Sequence, residues 1–177
     1  MKPIKFSLAA LALLVAQAAF GQDYARPGLY AVLNGVASID NFGNAPSGSF
    51  DTGIGASGRL GFRLNPRFAV EGQVEYSGDF VDCCGIDLSA TLVTANGKFF
   101  LMQDQVQPYL LWGLGGAFAN TNVIGDENSF VVKAGGGIDF YLGENFGLTG
   151  EAVYNIATGD LDDFDYLSIG WGLFYRF

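Results

Sequence analysis

The sequence predicts an all-β fold, an eight-stranded antiparallel up-and-down transmembrane β-barrel preceded by a cleaved signal peptide. Three observations predict it. The one long apolar run stands at the start of the chain; beyond it, segments of about ten residues recur in which apolar and polar side chains alternate; and the connections between these segments alternate short and long.

The start of the chain reads as an export signal. Lys2 and Lys5 form a basic n-region, residues 6–16 an apolar h-region, and Ala19, Phe20 and Gly21 a small-x-small cleavage site. The mature chain is expected to begin at Gln22, with Ala16 to Ala18 a second candidate site. The run is shorter than the ~20 residues a membrane-crossing helix needs, and no Cys follows the site to carry a lipid anchor. The expected division is 1–21 signal peptide, 22–27 periplasmic N-terminal lead and 28–177 barrel. Without Lys2 and Lys5, seven of the nine basic residues remain against eighteen acidic ones, a net of −11. That charge argues against nucleic acid as a partner.

The strand segments follow in order. The first, 29–37, is mainly apolar on both faces, and its phase stays open. In the second, Ile54, Ala56, Leu60, Phe62 and Leu64 oppose Arg59 and Arg63. The third is the clearest: Phe68, Val70, Gly72, Val74 and Tyr76 share one face, and Ala69, Glu71, Gln73, Glu75 and Ser77 share the other. A fourth, 89–101, sets Val93, Ala95 and Phe99 against Asn96 and Lys98. A fifth, 109–119, sets Leu110, Trp112, Leu114 and Phe118 against Gly113, Gly115 and Ala117. The sixth opposes Phe130, Val132, Ala134, Ile138, Phe140 and Leu142 to Lys133 and Asp139; the seventh opposes Phe146, Leu148, Ala152, Tyr154 and Ile156 to Glu151 and Asn155. The last, 166–177, aligns Leu167, Ile169, Trp171, Leu173, Tyr175 and Phe177.

A soluble sandwich would turn the charged faces to water, and a membrane barrel would turn them to its lumen. The polar faces consist mostly of Gly, Ser, Asn and isolated charges, which suits a narrow interior. The connections agree. Those at 65–66, 103–106 and 143–145 are short, while those at 40–51, 78–87, 120–129 and 158–165 read as long, the pattern of periplasmic turns and extracellular loops. The long loops, edges included, hold Asp40, Asp51, Asp79, Asp82, Asp87, Asp126, Glu127, Asp160, Asp162, Asp163 and Asp165 and no Lys or Arg.

With these features in place, the chain resembles the outer-membrane protein β-barrel domain family, the small OmpA/OmpX-like barrels, over residues 28–177. The residues that carry the likeness are Gly28, Leu29 and Tyr30; the turn from Leu64 to Phe68 with Glu71 after it; Tyr109 with Gly113 and Gly115; the run from Ala134 to Asp139; and the terminal Tyr175, Arg176 and Phe177. The resemblance implies a Gram-negative outer-membrane location, lipid and lipopolysaccharide around a monomeric barrel, and periplasmic chaperones and the barrel-assembly machinery as partners in biogenesis. It also implies that Tyr175 and Phe177 form the assembly signal.

Little points to catalysis. The chain has no His to serve as general base, and no carboxylate pair is placed at a cleft. The glycine clusters 113–116 and 135–137 sit inside strand-periodic segments, whereas a nucleotide loop needs a following helix. No cofactor is expected. Asp160, Asp162, Asp163 and Asp165 resemble a calcium loop, but that pattern wants Gly where Asp165 stands and Glu where Trp171 stands, so only weak binding of a divalent cation to the acidic rim remains. Cys83 and Cys84, in the second long loop, leave a vicinal disulfide, two free thiols and an intermolecular bridge all open. The lumenal charges weigh most: Arg59, Arg63, Lys98, Lys133 and Arg176 against Glu71, Glu75, Asp139 and Glu151. Buried charges must be paired, so a salt-bridge network that blocks the bore is expected. The functional expectation is a non-enzymatic barrel with an envelope-structural and surface-interaction role through its acidic loops. The alternatives are a narrow ion or small-solute channel and a soluble, lipocalin-like exported binder.

Overall fold

The structure is a computed structural model that describes residues 23–40, 52–81, 87–121, 125–158 and 165–177. The described residues form β1 (Gly28–Asp40), β2 (Thr52–Arg63), β3 (Phe68–Val81), β4 (Asp87–Phe100), β5 (Val106–Thr121), β6 (Gly125–Tyr141), β7 (Phe146–Thr158) and β8 (Tyr166–Arg176). Each strand pairs antiparallel with the next, and β8 pairs with β1 to close the barrel. Closure matters in lipid, where an unpaired backbone edge would find no water to bond.

Each of the eight expected segments is a strand, but several strands run further than hydropathy suggests. Most of 120–129, expected as a long loop, is paired: β5 continues to Thr121, opposite Gly125 of β6. Likewise β3 reaches Val81 and β4 starts at Asp87, with a register shift between Ser77 and Phe80. Alternation of hydropathy marks only the part of a strand that has lipid on one side. Beyond it the ladder continues on backbone hydrogen bonds, which do not depend on side-chain polarity.

The stagger can be read from the register. A walk across the ladder from Tyr30 through Gly61, Glu71, Asn96, Gly113, Lys133, Asn155 and Tyr166 returns to β1 at Asp40, ten residues beyond its start. With eight strands, such a shear tilts each by ~40° and leaves a bore that side chains can fill.

The barrel is inverted relative to a water-soluble protein. Leu33, Ile54 and Leu60 on the outer wall are 72%, 70% and 64% exposed, while Arg63, Lys98 and Arg176 inside are each 1% exposed. An outer surface this apolar belongs in lipid, so the soluble, lipocalin-like alternative fails. The phase of β1 is also settled: Tyr30, Val32, Asn34, Val36 and Ser38 point inward, and Val32 and Val36 explain why both of its faces are apolar.

The two tryptophans stand in the middle stretches of their strands, away from the strand ends. Trp112 stands six residues into β5, ~15 Å along the barrel axis at ~3.3 Å per residue. It lies directly across the ladder from Gly97, and its ring covers the space where a Gly97 side chain would be. Trp171 sits in the same way opposite Gly35. Each indole therefore packs over a cross-strand glycine, restoring apolar contact where the neighbouring strand has no side chain. Tyr175 and Phe177 lie at the end of the barrel where β8 meets the start of β1, with ring centroids 5.2 Å apart.

Candidate functional site

Alternation along the strands delivers polar side chains to a lumen that no lipid reaches, and the closed ladder brings them within contact across the bore. At its centre are Arg59 of β2, Glu71 of β3, Lys98 of β4, Asp139 of β6 and Glu151 of β7. Arg59 Nη1 lies 2.6 Å from Glu151 Oε2 and 3.5 Å from Glu71 Oε2. Lys98 Nζ lies 3.1 Å from Asp139 Oδ2 and 3.4 Å from Glu71 Oε1. Glu71 is thus shared by both cations, and its side chain is fully buried.

Hydroxyls and amides complete the cluster. Tyr30 donates to Glu71 at 2.5 Å, Tyr109 to Glu151 at 3.0 Å, Thr149 to Asp139 at 2.7 Å and Asn34 to Glu151 at 3.2 Å. Lys98 Nζ also sits 3.7 Å from the centroid of the Tyr109 ring. Such neighbours are required, because burial removes the water that would otherwise solvate each charge.

Toward the outer side, Lys133 and Glu75 meet indirectly. Lys133 Nζ donates to Gln73 Oε1 at 2.9 Å, while Gln73 Nε2 donates to Glu75 Oε2 at 2.8 Å. Above them Leu92, Ala117, Val131 and Tyr166 form a buried apolar cluster.

The expectation of one network of five cations against four carboxylates needs correction at the periplasmic end. Arg63 and Arg176 form no ion pair among the described residues. Arg63 Nη1 donates to Gln107 Oε1 at 2.8 Å and to the Tyr24 carbonyl at 3.1 Å, and Nη2 donates to the Pro66 carbonyl. Arg176 donates to the carbonyls of Asp23, Tyr24 and Glu144 at 2.7–2.8 Å. The physical reason is position. Both arginines stand at the last rung of their strands, below the carboxylates, where turn and lead carbonyls are the available acceptors. Residues 23–27, upstream of β1, thereby fold into the barrel mouth.

Sequence reasoning placed Gln73 on the inner face but gave it no role, named Tyr30 and Tyr109 only as residues of the family likeness, and passed over Gln107 and Tyr24. Alternation could have marked Tyr109 and Gln107, which share the phase of Gly113; nothing local marks Tyr24.

Asp165 is half-buried and accepts a 3.4 Å hydrogen bond from the Tyr154 hydroxyl. Asp160, Asp162, Asp163, Cys83 and Cys84 lie outside the described residues. No cluster of three metal-ligating side chains occurs among the described residues.

Comparison with known proteins follows from this geometry. The model of the outer membrane protein beta-barrel domain matches residues 6–177. Among solved structures, Neisserial surface protein A (NspA) superposes with a TM-score of 0.71 at 16% identity, covering 85% of this chain and 97% of that one. Ail, the attachment invasion locus protein of Yersinia pestis, gives 0.62 at 21% identity over 86% and 100% of the two chains. The N-terminal β-barrel domain of Pseudomonas aeruginosa OprF gives 0.56 at 16% identity over 86% and 100%. A search of curated protein sequences finds no match. At these identities the likeness concerns the fold. The family model spans nearly the whole chain, the barrel closes, and its wall is apolar outside and charged inside: the chain belongs to the outer membrane protein β-barrel domain family and is an integral outer-membrane protein of a Gram-negative bacterium.

Proposed function

We propose that this protein is a non-enzymatic outer-membrane barrel with a structural role in the envelope, and that it meets its surroundings through acidic extracellular loops. One observation carries the reading: the bore is filled by its own side chains. Arg59, Glu71, Gln73, Glu75, Lys98 and Lys133 are each at most 4% exposed and lie packed against one another across the lumen. A barrel packed at mid-height with ion pairs and at the mouth with its own lead supports a closed bore, which would leave contacts with the surroundings to the loops.

The loop charge narrows the partner. Ail has been solved in complex with the heparin analogue sucrose octasulfate, a polyanion, and superposes at a TM-score of 0.61 with 22% identity. The segments expected as long loops, edges included, hold eleven acidic residues and no Lys or Arg, of which Asp40, Asp79, Asp87, Asp126 and Glu127 stand in strands near the loop ends, so a sulfated glycan would be repelled. A cationic surface, or lipopolysaccharide phosphates bridged by divalent cations, fits this charge. In the membrane, lipid and lipopolysaccharide surround a monomer.

The channel reading draws on one observation. Several buried lumenal atoms, among them Arg59 Nε and Nη2, Glu75 Oε1 and Thr94 Oγ1, have no hydrogen-bond partner among the described residues, so the polar lining described is not saturated. Single-channel recording in a planar bilayer separates the two readings. The wild-type barrel is expected to be silent. Stable, salt-dependent steps whose size changes in Arg59→Ala would overturn the closed-bore reading and establish a lumenal path.

A further inference from the structure

Arg63 and Arg176 form no ion pair among the described residues and, unlike Lys133, have no lumenal carboxylate linked to them through a bridging side chain; each is 1% exposed. A buried guanidinium is tolerable only when its donors are satisfied. Here the main chain of the N-terminal lead supplies acceptors for three of their donor contacts. The Tyr24 carbonyl accepts from Arg176 Nη1 at 2.7 Å, Arg63 Nη1 at 3.1 Å and Gln107 Nε2 at 3.2 Å, and the Asp23 carbonyl accepts from Arg176 Nη2 at 2.8 Å. The Tyr24 ring is buried 5.1 Å from that of Tyr141. The lead itself is shaped by the Ala25 amide, which donates to Asp23 Oδ1 at 3.0 Å, and it is tied to the β6–β7 turn by Arg26, which donates to Asn145 Oδ1 at 3.2 Å.

The receiving side chains also have partners outside the lead. Arg63 is fixed by the Pro66 and Asn65 carbonyls and stacks 3.9 Å over the Phe100 ring. Gln107, fully buried, is held by Arg63 and by the Asp104 carbonyl. Arg176 is anchored by the Glu144 carbonyl. All three stand on barrel strands. The groups they present are N–H donors aimed at peptide carbonyls, beside an aromatic slot, a donor set that reads an extended backbone and one aromatic side chain.

We propose that the periplasmic mouth, formed by Arg63, Gln107, Tyr141 and Arg176, is a peptide-binding site that the chain's own N-terminal lead occupies in cis. A barrel that begins at Pro27 would then accept the missing segment in trans. The probe is a fluorescent hexapeptide with the sequence of residues 22–27, titrated by anisotropy onto the truncated barrel refolded in detergent, with folding checked by the heat-modifiable gel shift. Saturable binding is expected. It should weaken about tenfold or more in Arg176→Gln, which removes several charge-assisted bonds, and when the tyrosine of the peptide is replaced by alanine. Inorganic phosphate should not compete.

Absence of binding to a folded truncated barrel would overturn the proposal. So would equal binding by Arg176→Gln, or displacement of the peptide by phosphate, which would make the mouth a simple anion site. The full chain provides a second test that does not need the truncated barrel to fold. In the folded protein the Tyr24–Ala25 bond should resist chymotrypsin, read by mass spectrometry, and should open in the Arg63→Gln/Arg176→Gln double variant. Cleavage of the wild type at the rate of the free hexapeptide would refute a docked lead.

Discussion

Replacing Lys98 with methionine tests how the lumen is held together. Lys98 Nζ bridges Asp139 at 3.1 Å and Glu71 at 3.4 Å and rests on the Tyr109 ring. Methionine keeps most of the volume and removes the charge. Glu71 retains Arg59 and the Tyr30 hydroxyl, but Asp139 keeps only Thr149 among its hydrogen-bond donors, so a nearly uncompensated carboxylate is left in a dry interior. Removing one member of a buried pair costs ~3–5 kcal/mol. A loss of ~4 kcal/mol is expected, about a thousandfold in the unfolding equilibrium. The assay is urea unfolding in micelles, followed by tryptophan fluorescence and by the gel shift of the folded barrel. Adding Asp139→Asn should recover much of the loss, since both charges are then gone, with a coupling of ~2–3 kcal/mol in the double-mutant cycle. A single variant within ~1 kcal/mol of wild type, or a double variant no better than the single, would refute the claim that these charges exist as mutually dependent pairs.

Other expectations concern the wall and its ends. A Cβ at Gly115 would run into the Val93 carbonyl oxygen on the neighbouring strand, whereas one at Gly72 meets nothing within 4 Å. Gly115→Ala should therefore destabilise by ~1–3 kcal/mol and Gly72→Ala hardly at all, as measured by the same unfolding assay. Asn65 Oδ1 accepts the Arg67 and Phe68 amides at 2.9 and 3.0 Å, so Asn65→Ala should cost ~1 kcal/mol through loss of the turn bonds. Phe177→Ser should lower the fraction of heat-modifiable barrel recovered from outer membranes while leaving barrels refolded in vitro almost as stable, because the Phe177 side chain is 63% exposed. Equal losses in both settings would argue that the residue acts in stability and not in assembly.

Much of this molecule is legible in its sequence, because the information is local. A strand has a period of two, so once lipid lies on one side the apolar phase alone states which of Phe68 or Ala69, or of Trp112 or Gly113, faces the membrane. Strand number, inside and outside, and the inward position of all nine lumenal charges follow from that single rule. It reaches less far where lipid ends. The outer parts of β5 and β6 are polar on both faces, and the ladder that pairs Thr121 with Gly125 leaves no hydropathy signal. It is also silent for β1, where Val32 and Val36 fill the lumen.

Which charges meet was decided only by tertiary structure. Arg59 and Glu151 are 92 residues apart in the chain, and Lys98 and Asp139 are 41 apart. Their contacts depend on the ten-residue stagger accumulated around the barrel, a quantity that no single strand contains. The same stagger sets Arg63 and Arg176 below the carboxylates, where the carbonyls of Asp23 and Tyr24 become their partners. By itself the sequence determined the wall of this barrel, because facing lipid or facing inward is a property of each residue in its own strand. Only closure determined the pairing within the lumen and the docking of the lead, because those contacts exist between strands whose relative heights are fixed when the last strand meets the first.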